Sequence, residues 1–175
     1  MRRRSRSLVA VLTTALVSLV GPQIIAAPAG AHERAASQVK ASAPAASTES
    51  SPSRSVAAEQ AFLERINDER ASAGLDGLGS DPALVDVARS WSETMATSAG
   101  LAHNPNLRAQ VSEATGWTRL AENVGVGSDM EGLHDAFMSS KGHRRNVLGD
   151  FGSVGVGVRM AGGEIWVTVV FVQAR

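Results

Sequence analysis

The chain has no cysteine among its 175 residues. Disulfide staples, thiolate metal ligands and a cysteine nucleophile are excluded, so stability has to come from burial. Other missing motifs remove other chemistries. No G-x-S-x-G elbow presents a serine nucleophile, and no H-E-x-x-H places two histidines on one helix face. Gly125-Val126-Gly127 and Gly155-Val156-Gly157 lack the following Lys-Ser/Thr and helix of a phosphate loop, and they read as strand kinks. No fixed period recurs, which excludes a solenoid or propeller. Basic residues form no stripe interleaved with aromatics, the pair Arg144-Arg145 being too small for one, so nucleic acid is not an expected partner.

The chain opens like an export leader. Arg2, Arg3, Arg4 and Arg6 precede an apolar run over residues 8–20, Gly21-Pro22 breaks it, and Ala29-Gly30-Ala31 fits a cleavage site. The run is shorter than the roughly 20 apolar residues of a membrane span, so residues 1–31 read as a cleaved signal peptide with no transmembrane segment after it. Secretion is therefore expected. The whole chain balances 17 basic against 17 acidic residues, and the leader takes four arginines and no acid, which leaves 13 against 17. A mildly acidic exported protein has no electrostatic pull toward nucleic acid. Residues 32–55 are mostly Ala, Ser, Pro and Thr and lack the large apolar side chains that offset ordering entropy, so they read as a disordered linker. Residues 56–175, about 120 in number, make one domain of ordinary size.

Within that domain, Phe62, Leu63, Ile66 and Ala73 line one side of a helix over residues 56–73, with Glu59, Glu64, Arg65, Asp68 and Glu69 outside and Gly74 as its left-handed stop. Ser80 or Asp81 caps a second helix, Pro82 suits its first turn, and Leu84, Ala88, Trp91 and Met95 form its inward stripe. Residues 98–127 read as loops around a short helix near Leu107–Ala114, with Glu122, between Leu120-Ala121 and Asn123-Val124, entering what looks like the start of a strand. Ser128 or Asp129 then caps a third main helix that carries Met130, Leu133, Phe137 and Met138 on its apolar face. After it the period changes to two. Val154, Val156, Val158 and Met160 alternate with smaller or polar residues, Gly162-Gly163 turns the chain, and residues 165–172 return as a nearly continuous apolar strand. Both faces of that strand are apolar, so helices must cover both sides of the sheet: an α+β fold, a three-layer αβα sandwich around a mainly antiparallel sheet.

Three polar segments interrupt this pattern. They supply His103, Glu122 and His143, set among Gly, Asn and Arg rather than in plain apolar runs, with Asn104, Asn123, Arg144 and Asn146 in support. Each has a plain structural alternative. His103 is a loop histidine with one hydrogen bond, Glu122 a salt-bridge partner of Arg70 or Arg119, and His143 a surface residue at a helix start. Taken together, two imidazoles, one carboxylate and a water match the ligand set of an open zinc-type site, with His103 and His143 as metal ligands, although the spacing is not a zinc signature. The same three groups alternatively act as acid and base on a bound water or hydroxyl. No nucleophile accompanies them, because Ser139 and Ser140 read as helix-end residues. His134, at a helical position between Leu133 and Asp135, reads as a solvated or half-buried structural residue.

The ordered motifs resemble the bacterial branch of the CAP, or SCP, domain family, which includes cysteine-rich secretory proteins and plant pathogenesis-related proteins. The resemblance covers FLERINDERASAGL with Asn67 and Arg70, the helix from Pro82, His103-Asn104, Glu122-Asn123-Val124, GHRRNVL and the closing VGVGV hairpin. It implies an αβα sandwich with a cleft holding two histidines and two acids, and His103, Glu122 and His143 match three of those four. The second acid has no clear counterpart here, Asp135 and Glu131 being the nearest candidates. Such a family implies extracellular action, with a divalent metal in some members, lipid carriage in others and proteolysis in a few. The expectation is a secreted module whose His/Glu cleft binds a small molecule, lipid or cell-envelope component, with or without a divalent cation such as zinc. The alternative is a metal-dependent extracellular hydrolase.

Overall fold

A computed structural model describes residues 10–11, 52–114 and 116–175. The expected leader, apart from Ala10 and Val11, and residues 32–51 of the expected linker lie outside the described residues.

Helix α1 runs over Pro52–Ser72, so its first turn reaches into the stretch expected to be linker. Its inward stripe is Glu59, Phe62, Ile66 and Arg70, all buried. Two of these four are charged. Glu59, expected outside, is turned in because it has partners there, as described below. Gly74, at φ 72°, ends the helix, and the Leu75 amide donates back to the Arg70 carbonyl at 2.9 Å. Asn67 then holds the returning chain by accepting from the Leu78 amide at 2.8 Å and donating to its carbonyl at 3.2 Å.

Helix α2, Pro82–Ser98, follows the strand pair Gly79–Ser80, called β2. Asp81 caps it by accepting from the Ala83 amide at 2.9 Å, with Pro82 in the first turn. Its buried stripe is Leu84, Ala88, Ser92 and Met95. Trp91 is only half-buried and anchors the following loop by donating to the Ala102 carbonyl at 2.8 Å. Ser92 takes the inward position expected of Trp91, since its hydroxyl meets both the Gly157 carbonyl and Thr168 Oγ1 at 2.9 Å. Helix α3 spans Leu107–Ala114. Trp117–Gly127 is then an eleven-residue strand, β3, longer than expected, since it begins within the span read as loops and carries Glu122 at its middle rather than at a strand start. Its first four residues lack a period of two, since half-buried Trp117 and Leu120 flank exposed Thr118 and Arg119.

Helix α4, Met130–Ser139, is capped by Asp129, which accepts from the Gly132 amide at 2.6 Å. Helix α5, Lys141–Val147, follows at once. Strands β4, Ser153–Ala161, and β5, Glu164–Ala174, form the expected hairpin, and Gly162 and Gly163 at φ 61° and 82° supply its two-residue turn. With Ala10–Val11 as β1, the sheet order is β1-β3-β5-β4-β2. Every pair is antiparallel except β2 with β4.

The alternation of β5 sorts the core into two layers. Val167, Val169 and Phe171 join Val154, Val156 and Val158 of β4 against Phe62, Ile66, Leu133 and Phe137. On the other face Val170 and Val172 meet Leu84, Ala88, Leu107 and Val111, while Trp166 meets Met95 and Val124. Helices α1, α4 and α5 thus cover one face and α2 and α3 the other, the expected three-layer α+β sandwich. The glycine pairs are helix seats rather than kinks. A Cβ on Gly155 or Gly157 would lie 2.2 Å from backbone atoms of Leu84 or Ala88, so β4 lets α2 approach backbone to backbone. On β3, Gly125 and Gly127 face side chains of Phe137 and Leu133 at 3.0 and 3.1 Å.

Candidate functional site

His103 follows the end of α2, Glu122 lies midway along β3, and His143 sits inside α5. His103 and Glu122 meet directly, with Nδ1 2.7 Å from Oε2. The same carboxylate oxygen accepts from the Asn104 amide at 3.1 Å. Asn104 is itself fixed, since its Oδ1 accepts from the Asn106 amide at 2.9 Å and its Nδ2 donates to Gln110 Oε1 at 2.8 Å. An Asx turn therefore aims the loop at Glu122. Neither Arg70 nor Arg119 is the partner of Glu122. Arg119 lies 3.0 Å from Asp150, and Arg70 donates to the Asp76, Val147 and Gly149 carbonyls at 2.8, 2.9 and 2.7 Å.

His143 is joined to this pair through β3. Asn123 donates to the His143 carbonyl at 3.1 Å, while Asn146 donates to Asn123 Oδ1 at 2.8 Å and to the Glu122 carbonyl at 3.3 Å. These bonds hold α5 against the strand that carries Glu122. The His143 ring is buried and packs on Phe137 with centroids 5.0 Å apart, so it is not a surface residue at a helix start. Arg144 is exposed and stands outside this network. Asp135 and Glu131 are exposed on α4, so neither stands in as the buried second acid.

The two imidazoles are driven in opposite directions. The hydrogen bond that His103 donates to Glu122, aided by the carboxylate's charge, raises the pKa of His103 against the opposing effect of partial burial. Burial, followed by the charge of His103, lowers that of His143. Among the described residues four buried side-chain polar atoms have no hydrogen-bond partner: Glu122 Oε1 and His143 Nδ1 at this site, and His134 Nε2 and Arg159 Nε away from it. An unmet buried polar atom is costly, so Glu122 Oε1 and His143 Nδ1 carry hydrogen-bonding capacity that the fold leaves unused. Among the described residues no group of three His, Cys, Asp or Glu side chains is arranged to hold a metal ion. His103 presents Nδ1 to Glu122, which leaves only its other ring nitrogen for anything else.

His134 lies elsewhere and is buried rather than solvated or half-buried, with its ring edge-on to Phe62 at 5.8 Å. Sequence reasoning missed a second polar cluster altogether. Glu59 on α1 takes Arg89 Nε on both carboxylate oxygens, at 2.9 and 3.1 Å, and Oε1 also accepts from the Val158 amide of β4 at 3.2 Å. The signal available was Arg89, a charge on the face of α2 next to Ala88.

The cysteine-rich secretory protein (CAP) family matches residues 63–173. The uncharacterized protein YkwD of Bacillus subtilis (strain 168) is 32% identical over 146 residues, which cover 79% of this chain and 56% of that protein. An extracellular protein containing a SCP domain from Bacillus anthracis superposes with a TM-score of 0.63 at 25% identity, over 70% of this chain and 44% of its own. An outer surface protein of Borrelia burgdorferi reaches 0.64 at 14% identity, over 68% and 94%, and shows the fold alone. The chain thus spans about half the length of YkwD and of the Bacillus anthracis protein. No helix among the described residues is long and apolar enough to cross a membrane. The αβα sandwich, the order of the motifs and these matches agree: without a single cysteine, the chain belongs to the cysteine-rich secretory protein, or CAP, family.

Proposed function

We propose that this protein is a secreted, noncatalytic binding module whose His103, Glu122 and His143 site receives a polar group of a small molecule, lipid or cell-envelope component. The observation that carries the reading is the pair of buried, unpartnered atoms Glu122 Oε1 and His143 Nδ1 beside a charge-assisted His103–Glu122 bond. A ligand hydroxyl or amine that donates to Oε1 and meets the ring nitrogen satisfies both. Among the described residues His103 and Glu122 bond through their side chains to each other and to the Asn104 amide, with no serine or threonine hydroxyl between them, which supports the noncatalytic reading. The leader-like residues 1–31 and the extracellular and outer-surface descriptions of two structural neighbours support export.

A divalent cation such as zinc is the alternative occupant, and with it the hydrolase reading. The donor set fits it poorly, because His103 Nδ1 is committed to Glu122 and no three-ligand group forms among the described residues. Calorimetry of the purified protein against lipid vesicles, cell-wall fragments and zinc, with elemental analysis, separates the readings. The binding module predicts heat with a lipid or wall fraction that is lost in His143→Ala and in Glu122→Ala while both variants stay folded. Tightly held zinc, together with hydrolysis that vanishes in His103→Ala, establishes the alternative. Failure of every ligand overturns the binding module.

A further inference from the structure

The three site residues do not share a face of the sheet. Val124 and Val126 of β3 pack toward α2 with Met95 and Trp166, and by the alternation of the strand Glu122 points the same way, toward His103. His143 belongs to α5, which covers the other face. The two groups can face one another only around the outer edge of β3, so that edge is part of the site's wall.

The strand registers fix which peptide groups the edge offers. The Val158 amide turns away from β5 to Glu59, and Val158 lies opposite Val167, which in turn lies opposite Gly125. Alternation then aims the peptide groups of Gly125 at β5 and those of Glu122, Val124 and Val126 outward. Asn146 takes the Glu122 carbonyl from outside at 3.3 Å and closes the strip at that end. At the other end a strand is already seated. Ala10–Val11 runs antiparallel to β3 with Ala10 opposite Val126 and Val11 opposite Gly125, which makes Ala10 and Val126 the hydrogen-bonded pair. A strand continued in this direction passes Val124 and reaches Glu122 four positions on.

We infer that the outer edge of β3 is a docking strip for an extended apolar peptide, which adds to the sheet as a further strand and carries its C-terminal part to His103, Glu122 and His143. Residues 10–11 fill the strip in the full chain and show what it accepts: an alanine and a valine, in one register and one direction. Main-chain bonds of this kind supply affinity for a strand, while alternate side-chain positions supply selectivity. On the reading of residues 1–31 as a cleaved leader, cleavage vacates the strip, and the precursor is closed to its partner. This holds whatever polar group Glu122 Oε1 receives.

The full chain is to be compared with its Ala10→Pro variant, in which proline removes the amide that pairs with Val126. The probe is a labelled synthetic peptide with the sequence of residues 7–14. Fluorescence anisotropy is expected to show saturable binding to Ala10→Pro and binding about 10-fold or more weaker to the wild type, whose own strand occupies the strip. The same peptide carrying Ala10→Pro is expected not to bind. Exchange of the Val126 amide in the Ala10→Pro chain is expected to slow by about 10-fold or more when the unmodified peptide is added. Equal binding to both chains, binding to neither, binding that the proline peptide matches, or unchanged exchange at Val126 overturns the inference. So does light scattering in which Ala10→Pro pairs with itself and the peptide does not disperse the pairs, which gives the strip to a second copy instead. Should Ala10→Pro fail to fold, the double variant Ala10→Gly with Val11→Gly keeps the amides but lowers strand propensity, and the same outcomes decide.

Discussion

Two buried glutamates stand on opposite sides of the same sheet, and they have been put to different uses. Glu59 and Glu122 are 6% and 8% exposed, so burial does not distinguish them. What does is the fate of their oxygens. Both oxygens of Glu59 are taken, by a guanidinium and a strand amide, whereas Glu122 gives one oxygen to His103 and Asn104 and leaves the other unpartnered. A saturated carboxylate is a brace, because nothing more can bind it without a loss. An unsaturated one leaves hydrogen-bonding capacity unmet, as His143 Nδ1 also does, and that is what the proposed binding reading draws on. The backbone repeats the contrast. On the β4 side helix α2 seats directly on Gly155 and Gly157, while on the β3 side side chains of α4 intervene.

The sharpest break in that comparison is at the glycines. Gly157→Ala would set a methyl 2.2 Å from the backbone of Ala88, so α2 has to lift as a unit, at a cost of about 3 kcal/mol or more. Gly127→Ala meets only Leu133 Cγ at 3.1 Å, a side chain that yields, and a cost of about 1 kcal/mol is expected. Paired denaturation curves check this, and equal losses would contradict the two-sided picture. Next in size are the carboxylates. Glu59→Ala strips a buried amide of its acceptor and is expected to cost about 2–3 kcal/mol, a figure that already counts the partial exposure of Arg89 as a discount. Glu122→Ala removes one histidine contact and one amide bond but also an unmet buried oxygen, so about 1 kcal/mol is expected. A reversal of that order would make Glu122 the brace.

The layers and the hairpin were legible in the sequence because their signals are local: a period of two with Gly162-Gly163, a cap at Asp81 or Asp129, and an apolar stripe from Leu84 to Met95. His103, Glu122 and His143 were legible as a group because polar residues in Asn- and Gly-rich surroundings do not fill a core. What escaped was settled by partners far along the chain. Glu59 looked like an outward helix charge, since its acceptor role depends on Val158, 99 residues away. Ser92 displaced Trp91 from the inward stripe for the same kind of reason, through Gly157 and Thr168. The glycines of β3 and β4 read as kinks because nothing in a single strand announces the helix that needs the space.

The smallest expected effect comes from pH, and it tests whether the His103–Glu122 bond is charged. Raised above its ordinary value of 6.5 by Glu122, His103 binds a proton more tightly in the folded chain than in the unfolded one. Its contribution to stability is therefore full below pH 6.5 and fades as pH rises through the higher folded value. His143 and His134, both lowered chiefly by burial, act with the opposite sign, and the stability they hold above pH 6.5 is lost as pH falls through their folded values. A wild-type melt against pH mixes the three, so the difference between wild type and Glu122→Gln is the quantity to follow. That difference should favour the wild type on the acid side by less than about 1 kcal/mol, since His103 is 38% exposed and solvent screens the pair, and it should narrow as pH rises. Nuclear magnetic resonance titration of the His103 ring in both proteins makes the assignment. If it titrates at 6.5 in each, Glu122 does not favour the protonated ring, and the His103–Glu122 bond has no charge assistance.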